Sequence, residues 1–344
     1  MRITNFLLED NSHDVYIIAE VGVNHNGSLE LAKRCIDEAV SSGADAVKFQ
    51  TFRSENLVTK YAEKAKYQSE NTNSSENQLE MLKKLELSFE DFSILKQYCR
   101  DKGVDFLSTP FDEESADYLN SIEVDAFKIG SGDLNNIPFL KKIDRYGKPI
   151  LLSTGMANLE EIGESLAVIK NSRVVLLHCT SNYPAPIDDV NLMAMKTMRR
   201  TFGKMTGYSD HTNGIEVAIA AVALGAKFIE KHFTVDCSLS GPDHKASLEP
   251  YPFSQMVNAI RNIERALGDG VKRCMSSEED TKIAARKSIV MSCSKKAGDF
   301  IAAGDITMKR PGTGIEPKFY DNFIGKQLKN NVTEDQLLTW EDVI

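Results

Sequence analysis

The sequence alternates between short β-rich runs and segments with helical character, and this alternation recurs eight times. The runs are YIIAEVG (16–22), AVKFQTF (46–52), DFLSTP (105–110), AFKIGSG (126–132), PILLSTG (149–155), VVLLHCT (174–180), MTGYSDH (205–211) and FIEKHFT (228–234). Their nearly continuous apolar halves are typical of a parallel sheet that helices cover on its faces. Eight β-α units that close on themselves predict an α/β fold, the (β/α)8 TIM barrel.

The segments between the runs carry signals for the start and the end of helices. Ser28 can cap the segment after the first run, and Gly43 can end it. Between them Cys35 and Ala39 fall on one apolar face. Asp112 can cap the helix after the third run. An open doubly wound sheet is the alternative arrangement, but no GxGxxG motif follows the first run.

About fifty residues separate the second run from the third, which is too long for a simple crossover. They include the polar stretch 62–78. Long loops are often functional, so we interpret this insertion as a loop over the barrel mouth, with a solvated insertion as the alternative. Residues 1–13 are expected to form a small hairpin below the barrel, and the barrel domain is predicted to span residues 1–270.

The sequence changes in character after the last helical segment of the barrel. A charged linker, 271–287, leads into a tail, 288–344, which is rich in glycine and turn residues and contains short strand-like pieces. This composition predicts a second, compact domain that is mostly β or irregular.

Composition restricts the class of protein. A chain of 344 residues that is 42% hydrophobic and 26% charged is typical of a globular protein, and no run of about 18 apolar residues could span a membrane. The net charge of −9, without a long Lys/Arg run, argues against a nucleic-acid partner. The six cysteines form no CxxC pair, and the first residues, MRITNFLLEDNSHD, lack the features of a secretion signal. We therefore expect a cytoplasmic protein.

Polar side chains gather at the carboxyl ends of the eight runs, where a barrel builds its active site. These residues are Glu20, Lys48, Gln50, Ser108, Thr109, Lys128, Ser131, Ser153, Thr154, His178, Thr180, Ser209, His211, Glu230 and His232. A single strand-end serine or lysine is usually structural, but a core would not tolerate unpaired polar groups on eight consecutive strands. Because alternate residues share a face, Ser209 and His211 are expected on one side of their strand and Asp210 on the other.

Two lysines and four hydroxyl side chains are expected to converge at this mouth. They are Lys48, Lys128, Thr109, Ser131, Ser153 and Ser209. Such donors suit a phosphate or a carboxylate, because charge-assisted hydrogen bonds are the strong ones. The pattern therefore favours an anion site, and the alternative is that Lys128 pairs with a carboxylate such as Asp133.

His211 and His232 end adjacent runs, so their rings could meet over the mouth. Two neutral imidazoles with room for oxygen ligands suit a divalent ion such as Mn, Co or Zn, whereas either histidine alone would more often be a hydrogen-bonded structural residue. No cysteine cluster accompanies them, which argues against a structural zinc site. Asp243 follows the last run and is placed over the mouth, and the loop NHNG (24–27) is either part of the mouth or an ordinary lead-in to a helix.

Nine motifs of the sequence resemble those of the sialic acid synthase family, and they occur in the family's order. They are AEVGVNHNG, VKFQTF, FLSTPFD, KIGSGD, ILLSTGM, LLHCTSNYPAP, GYSDH, FIEKHFT and GPDHKAS. The tail, KSIVMSCSKKAGDFIAAGDITMKRPGTGI, resembles the family's C-terminal antifreeze-like (SAF) domain. The resemblance implies an N-acetylneuraminate synthase, a transferase that condenses phosphoenolpyruvate with N-acetylmannosamine and releases phosphate. A legionaminic acid or other modified nonulosonic acid synthase, with a different N-acetylated hexose, is the alternative.

The resemblance also implies roles for individual residues. Contacts to phosphoenolpyruvate are implied for Lys48, Thr109, Lys128, Ser131, Ser153 and Ser209. Contacts to the amino sugar are implied for Glu20, Gln50, Tyr183, Asp243 and Arg310. His211 and His232 would hold a divalent metal, Mn before Mg or Co, and the expected catalytic residues are Glu20, Asp133, His211 and His232. Arg310 would reach the sugar of the partner in a domain-swapped homodimer.

Two positions depart from the family's pattern. Asp133 stands where the family commonly has a glutamate that handles the attacking water, and its side chain is one methylene shorter, so its role is open. Ser181 and Asn182 follow HCT in a loop that borders the sugar, so the sugar is less constrained than the reaction. A non-catalytic carbohydrate-binding or ice-binding protein is an alternative of another class, but such a protein needs neither the two lysines nor the two histidines.

Overall fold

The computed structural model describes residues 2–8, 14–72 and 75–344. The chain divides into two compact units, Met1–Gly268 and Asp269–Ile344, close to the expected boundary after residue 270. Within the described residues, no helix is both long and apolar enough to cross a membrane.

Eight parallel strands form the sheet of the first unit. They are β1 (Tyr16–Gly22), β2 (Ala46–Thr51), β3 (Asp105–Pro110), β4 (Phe127–Ile129), β5 (Ile150–Ser153), β6 (Val174–His178), β7 (Met205–Asp210) and β8 (Phe228–His232). Their order is β3-β2-β1-β8-β7-β6-β5-β4, and β3 and β4 at its two ends pack against each other. The sheet therefore closes into the predicted (β/α)8 barrel, and the open-sheet alternative is wrong.

Most helices of the first unit follow a strand and surround the sheet, whereas the first helix precedes β1 and the last helix belongs to the second unit. Those of the described chain are α1 (Ile3–Phe6), α2 (Leu29–Ser41), α3 (Ser54–Leu57), α4 (Lys66–Thr72), α5 (Gln78–Leu85), α6 (Phe89–Asp101), α7 (Glu113–Ser121), α8 (Ile137–Asp144), α9 (Leu159–Val168), α10 (Met193–Phe202), α11 (Glu216–Ala223), α12 (Pro250–Leu267) and α13 (Glu279–Ala285). Ser28 and Asp112 accept hydrogen bonds from the first turns of α2 and α7, so both predicted caps are confirmed.

The floor of the barrel is closed by α1. Ile3 and Phe6 are fully or almost fully buried against the lower barrel residues, which include Tyr16 and Phe228. Asp105 fixes this end, because its carboxylate accepts hydrogen bonds from the Ile3 amide at 2.6 Å and the Tyr16 hydroxyl at 2.5 Å. The expected hairpin is therefore wrong for residues 3–6, where two apolar residues three positions apart form one buried helical face. Residues 1 and 9–13 of that expectation lie outside the described residues.

Four helices lie between β2 and β3: α6 directly precedes β3, and the insertion before it contains α3, α4 and α5. It has an apolar cluster of its own, in which Met81, Leu82 and Leu85 pack with Val23 and Phe52. The insertion is therefore packed onto the loop after β1, on the side of the barrel where the strands end.

The second unit contains β9 (Ser288–Met291) and β10 (Ile306–Lys309), which pair antiparallel. Isolated bridges and short 3-10 turns make up much of the rest. Its core consists of the buried residues Ile289, Met291, Ile301, Ile306, Phe323, Leu328, Val332 and Leu338. The prediction of a compact, mostly β second domain is confirmed. The expected linker, 271–287, belongs to this unit and includes α13.

Candidate active site

A cavity of about 430 Å³ opens at the carboxyl ends of the barrel strands. This volume is typical of a small-molecule site. The strand ends and the loops directly after them supply most of its polar lining, namely Glu20, Lys48, Gln50, Thr109, Lys128, Ser131, Ser153, Cys179, Ser181, Tyr183, Ser209, His211, Glu230 and His232. The structure thus brings together all of the predicted site residues except Asp133, Asp243 and Arg310.

The two lysines of the cavity are buried, and each contacts a carboxylate. Lys48 Nζ lies 2.8 Å from Glu20 Oε2 and 3.7 Å from Glu230 Oε2, and it donates to Thr109 Oγ1 at 3.1 Å. Lys128 Nζ donates to Ser153 Oγ at 2.7 Å and lies 3.6 Å from Glu230 Oε1. Lys128 therefore lies against a strand-end carboxylate, as the alternative expected, but that carboxylate is Glu230 and not Asp133.

Glu230 is the carboxylate shared by both lysines, a role that its strand-end position in the sequence did not indicate. Ser209 Oγ donates to Glu230 Oε1 at 2.9 Å. Burial would raise the pKa of Glu230, but Lys128 and Lys48 lower it far below its usual value. Burial raises the pKa of Glu20, and the charge of Glu230 adds to this effect although Lys48 opposes it. Two neighbouring carboxyl groups thus have pKa values that shift in opposite directions, as in many acid–base sites.

His211 and His232 meet at the mouth, as predicted, with ring centroids 5.5 Å apart. His211 Nδ1 lies 2.7 Å from Thr180 O, and since a carbonyl only accepts, Nδ1 carries the proton and Nε2 keeps its lone pair. His232 Nδ1 is buried and has no hydrogen-bond partner among the described residues. Burial lowers the pKa of His211 to about 4 and that of His232 well below the usual value. Both rings are therefore neutral at pH 7.

This pair fits a divalent ion that takes two imidazoles from the protein. The backbone carbonyl behind His211 fixes the ring and its tautomer, which is the usual support of a metal-binding histidine. Among the described residues, no group of three or more His, Cys, Asp or Glu side chains is arranged to hold a metal. The remaining ligands of an ion at this pair would therefore be oxygens of substrate or water.

Aromatic rings continue from the histidines toward the insertion. The ring of Tyr183 lies 4.2 Å from that of His211 and 5.4 Å, edge-on, from that of His232, as measured between centroids. Tyr67, on α4, lies 5.1 Å beyond Tyr183. On the opposite flank, Gln50 lines the cavity and donates to Glu20 Oε1 at 3.0 Å. The predicted sugar contacts Gln50 and Tyr183 thus lie on the wall of the cavity.

Three predicted site residues do not line the cavity. Asp133 ends a short 3-10 turn, accepts a hydrogen bond from Asn136 at 2.9 Å, and has a pKa that burial raises. Asp243 is buried, its Oδ1 has no hydrogen-bond partner among the described residues, and burial together with Glu20 raises its pKa to about 7. Arg310 lies in the second unit, directly after β10, and is exposed.

Some strand-end polar residues face away from the cavity. Ser108 shares a 2.7 Å hydrogen bond with Thr51 on the outer face of the sheet, whereas the next residue, Thr109, points inward. His178 Nε2 donates to the carbonyl of Val190 at 2.7 Å. Strand parity, which also separates Ser209 and His211 from Asp210, accounts for the difference between Ser108 and Thr109.

The insertion supplies cavity residues that sequence patterns did not single out. They are Ala65, Tyr67, Gln68 and Gln78. The length of the insertion was the only signal for them, and it indicated a loop over the mouth without indicating particular side chains. The structure supports the functional interpretation of this insertion over that of a purely solvated one.

A sequence model described as the NeuB family matches residues 35–272, more than half of the chain. The chain belongs to the NeuB family. The SAF domain model matches residues 288–344. The resemblance noted from the motifs is therefore confirmed, and so is the expectation of an enzyme of the transferase class.

Two relatives of this chain within the family are synthases that share one name. The chain is 49% identical to the N,N'-diacetyllegionaminic acid synthase of Campylobacter jejuni, over 94% of this chain and 98% of that one. It is 45% identical to the N,N'-diacetyllegionaminic acid synthase of Legionella pneumophila, over 97% and 96% of the two chains. The crystal structure of the N-acetylneuraminic acid synthetase from Leptospira borgpetersenii, in complex with citrate, superimposes with a TM-score of 0.69 at 37% identity, covering 78% of this chain and 90% of that one.

Proposed function

We propose that this NeuB-family chain condenses phosphoenolpyruvate with a hexose that carries two acetamido groups, and that it is an N,N'-diacetyllegionaminic acid synthase. The observation that supports the choice of sugar is the 49% and 45% identity to two synthases of that name. Phosphoenolpyruvate contains no nitrogen, so both acetamido groups of such a product must come from the sugar. This proposal replaces the N-acetylmannosamine reaction as the first candidate.

N-acetylneuraminate synthesis from N-acetylmannosamine is the second candidate. It is supported by the 37% identity to the Leptospira borgpetersenii synthetase, whose substrate would carry one acetamido group. Both candidates share the reaction at C1 of the sugar. They differ in the number of acetamido groups that the sugar carries, so they differ in substrate specificity and share the same reaction.

Phosphoenolpyruvate is proposed to bind between the two lysines. Its phosphate and carboxylate would accept hydrogen bonds from the side chains Lys48, Thr109, Lys128, Ser131, Ser153 and Ser209, all of which line the cavity. Preorganised donors in a buried site hold the anion at the reacting distance, and they do so without reorganisation during the reaction.

The charges already present in the cavity affect how strongly such an anion can bind. Two buried lysines face two carboxyl groups, so a substrate with several negative charges needs additional positive charge or a proton nearby. The raised pKa of Glu20 supports one source, since a protonated Glu20 leaves Lys48 free to neutralise the substrate. A divalent cation at the histidine pair would be the second source.

The proposed metal site consists of His211 and His232, with Mn, Mg or Co as candidate ions. His211 would use Nε2, since its Nδ1 carries a proton. When bound, such an ion would polarise the aldehyde oxygen of the open-chain sugar as a Lewis acid. The unpartnered, buried Nδ1 of His232 supports the proposal that this ring also takes a ligand there.

The protein's own groups are proposed to handle the protons. As C3 of phosphoenolpyruvate attacks the sugar aldehyde, the aldehyde oxygen gains negative charge, and Glu20 can supply a proton to it. Water then adds at C2 and phosphate leaves. Asp133 lies two residues after Ser131, and its raised pKa suits a group that accepts a proton from this water through a second water molecule.

We also propose a role for Arg310 and an oligomeric state for the protein. We expect Arg310 to contact the sugar of a partner in a domain-swapped homodimer, in the cytoplasm. Mixing Arg310→Ala subunits with His211→Ala subunits should then restore part of the activity. If no mixture regains activity, Arg310 does not act across subunits.

The reaction class is tested by phosphate release from phosphoenolpyruvate. We expect release only when an N-acetylated amino sugar and a divalent metal are both present, and a nine-carbon acid should appear in equal amount. Phosphate release that does not depend on the sugar would contradict the proposed reaction. His211→Ala should lose both activity and metal binding measured by calorimetry, and unchanged metal binding would contradict the ligand assignment.

A further inference from the structure

The insertion forms one end of the cavity. This end lies beyond the aromatic rings that extend from the histidine pair. Tyr67 and Gln68 of α4 line it, together with Ala65, which directly precedes the helix. Tyr67 is separated from His211 by the ring of Tyr183, with centroid distances of 5.1 and 4.2 Å along this path. In the proposed reaction C1 of the sugar lies at the histidines. The substituents at its far end therefore approach α4.

Hydrogen bonds hold α4 in this position. Asn71 Nδ2 donates to the carbonyl of Pro242, in the loop after β8, at 2.6 Å. Gln68 Oε1 accepts from the amide of Ala65 at 3.0 Å, and so the polar hydrogens of its side chain are carried by Nε2. The first bond joins the helix to the loop after β8, and the second orients the side chain of Gln68, which lines the cavity.

The cavity that Tyr67 lines has further apolar side chains. The ring of Tyr183 lies 5.1 Å from that of Tyr67 between centroids, and Phe111 and Met156 line the same cavity. Aromatic faces and a flexible thioether suit methyl groups. Asp243 is close enough for its charge to raise the pKa of Tyr67, which burial already raises.

We propose that Tyr67 and Gln68 determine which substituents the enzyme accepts at the far end of the sugar, with a second acetamido group as the preferred one. The Tyr67 ring packs on the acetamido methyl, and Gln68 Nε2 donates to the acetamido carbonyl oxygen. A hydroxyl at the same position leaves the ring without a methyl contact. The inference rests on the proposed function, and it names residues of the insertion as the specificity determinants of that site.

The test compares two sugars in three variants and one control. Catalytic efficiency is measured with a diacetamido hexose and with N-acetylmannosamine for the wild type, Tyr67→Ala, Tyr67→Phe and Gln68→Ala. Tyr61→Ala is the control, because Tyr61 belongs to the same insertion but is 79% exposed. A methyl-sized contact in a pocket changes discrimination about 10-fold or more. We therefore expect the preference for the diacetamido sugar to fall about 10-fold in Tyr67→Ala, through the KM for the sugar.

The other outcomes separate this inference from the proposed function. Tyr67→Phe and Tyr61→Ala should keep the wild-type preference, Gln68→Ala should lower it, and the KM for phosphoenolpyruvate should be unchanged throughout. An unchanged preference in folded, active Tyr67→Ala and Gln68→Ala would overturn the inference alone. If Tyr67→Ala does not fold, Gln68→Ala decides the matter by itself. A wild type that uses no amino sugar at all would overturn the proposed function, and the inference with it.

Discussion

Glu230 is the residue on which the charges of the cavity converge. It accepts a hydrogen bond from Ser209 and lies within 4 Å of both Lys48 and Lys128. These contacts hold its pKa low although burial opposes this. Burial lowers the pKa of Lys128, and the charge of Glu230 opposes that effect, whereas Glu20 and Glu230 together raise the pKa of Lys48 against its burial. The lysines also donate to hydroxyl groups, which leaves a ring of oriented donors that can receive an anion.

Replacing one cation of this ring should weaken the binding of phosphoenolpyruvate. A hydrogen bond to a charged group contributes about 1.5–3 kcal/mol, so Lys128→Met should raise the KM for phosphoenolpyruvate about 10- to 100-fold. Lys141→Met is the matched control, because Lys141 is exposed on α8. Steady-state phosphate release measures the effect, with circular dichroism as a check of the fold. An unchanged KM in a folded Lys128→Met enzyme would refute the anion site.

A second residue-scale prediction concerns stability and pH. Burial would raise the pKa of Asp144, but the backbone amides of residues 170–172 donate to its carboxylate at 2.9 Å and lower it. A folded pKa below the unfolded value of about 4 stabilises the fold above pH 4, and this contribution is lost as pH falls through the folded value. Asp144→Asn should therefore lower the free energy of unfolding by about 2 kcal/mol at pH 7.

The pH dependence is the specific part of this prediction. The difference between wild type and Asp144→Asn, measured by urea unfolding, should shrink steadily as the pH falls below 4. Asp188→Asn, at an exposed position, should show no such difference at any pH. A difference that is the same at pH 7 and at low pH would show that the carboxylate charge is not responsible.

Sequence patterns could identify most of the individual cavity residues but not their partners. Strand-end position and parity predicted that Lys48, Lys128 and both histidines face the mouth. Neither pattern could show that Glu230 would contact lysines from β2 and β4, because those contacts depend on how the barrel closes. The position of Asp133 outside the cavity lining could not be predicted either, because the local turn places its side chain against Asn136.

At the scale of elements, the packing of the insertion on the loop after β1 supports one wall of the cavity. Gly27, in that loop, has a φ of +71°, and a Cβ at this position would collide with the backbone carbonyl of Lys84 on α5. The close approach of the two segments thus requires glycine at this position. It fixes the position of α5, whose first residue, Gln78, lines the cavity.

Gly27→Ala should therefore disturb the insertion. Gly103 is the matched control, since it has a similar φ of +77° but a Cβ at this position would meet no atom within 4 Å. Gly103→Ala should cost only the backbone strain, about 1 kcal/mol, whereas Gly27→Ala should cost about 2–3 kcal/mol and raise the KM for the sugar. Thermal unfolding and sugar kinetics measure the two effects. Equal losses in both variants would argue against the predicted collision.

Some strands and helices could be predicted from the sequence, and others could not. The eight strands follow from apolar runs whose ends are marked by polar residues, and the caps at Ser28 and Asp112 followed from local hydrogen-bonding rules. The helices α3 to α5 were not predicted, because their polar sequence carries little apolar periodicity apart from Met81, Leu82 and Leu85. Helix α1 is stabilised by burial of Ile3 and Phe6 against the barrel floor, a tertiary effect that local pattern does not reveal.

At the scale of the whole molecule, an acidic chain has a cavity in which we propose that an anion binds. The net charge is −9, so binding of phosphoenolpyruvate depends on local cations that act against the overall field. The NeuB and SAF matches cover residues 35–272 and 288–344, and the chain is accordingly organised like other members of its family. The reaction class follows from this organisation, whereas the choice of sugar is proposed to depend on Tyr67 and Gln68.

The central claim is that the chain joins phosphoenolpyruvate to a hexose with two acetamido groups. It is tested most directly by the ratio of kcat/KM for a diacetamido hexose to kcat/KM for N-acetylmannosamine, measured by phosphate release with a divalent metal present. A second contact of the kind proposed for Tyr67 and Gln68 predicts a ratio of about 10 or more. A ratio below 1 would contradict the account and favour N-acetylneuraminate synthesis.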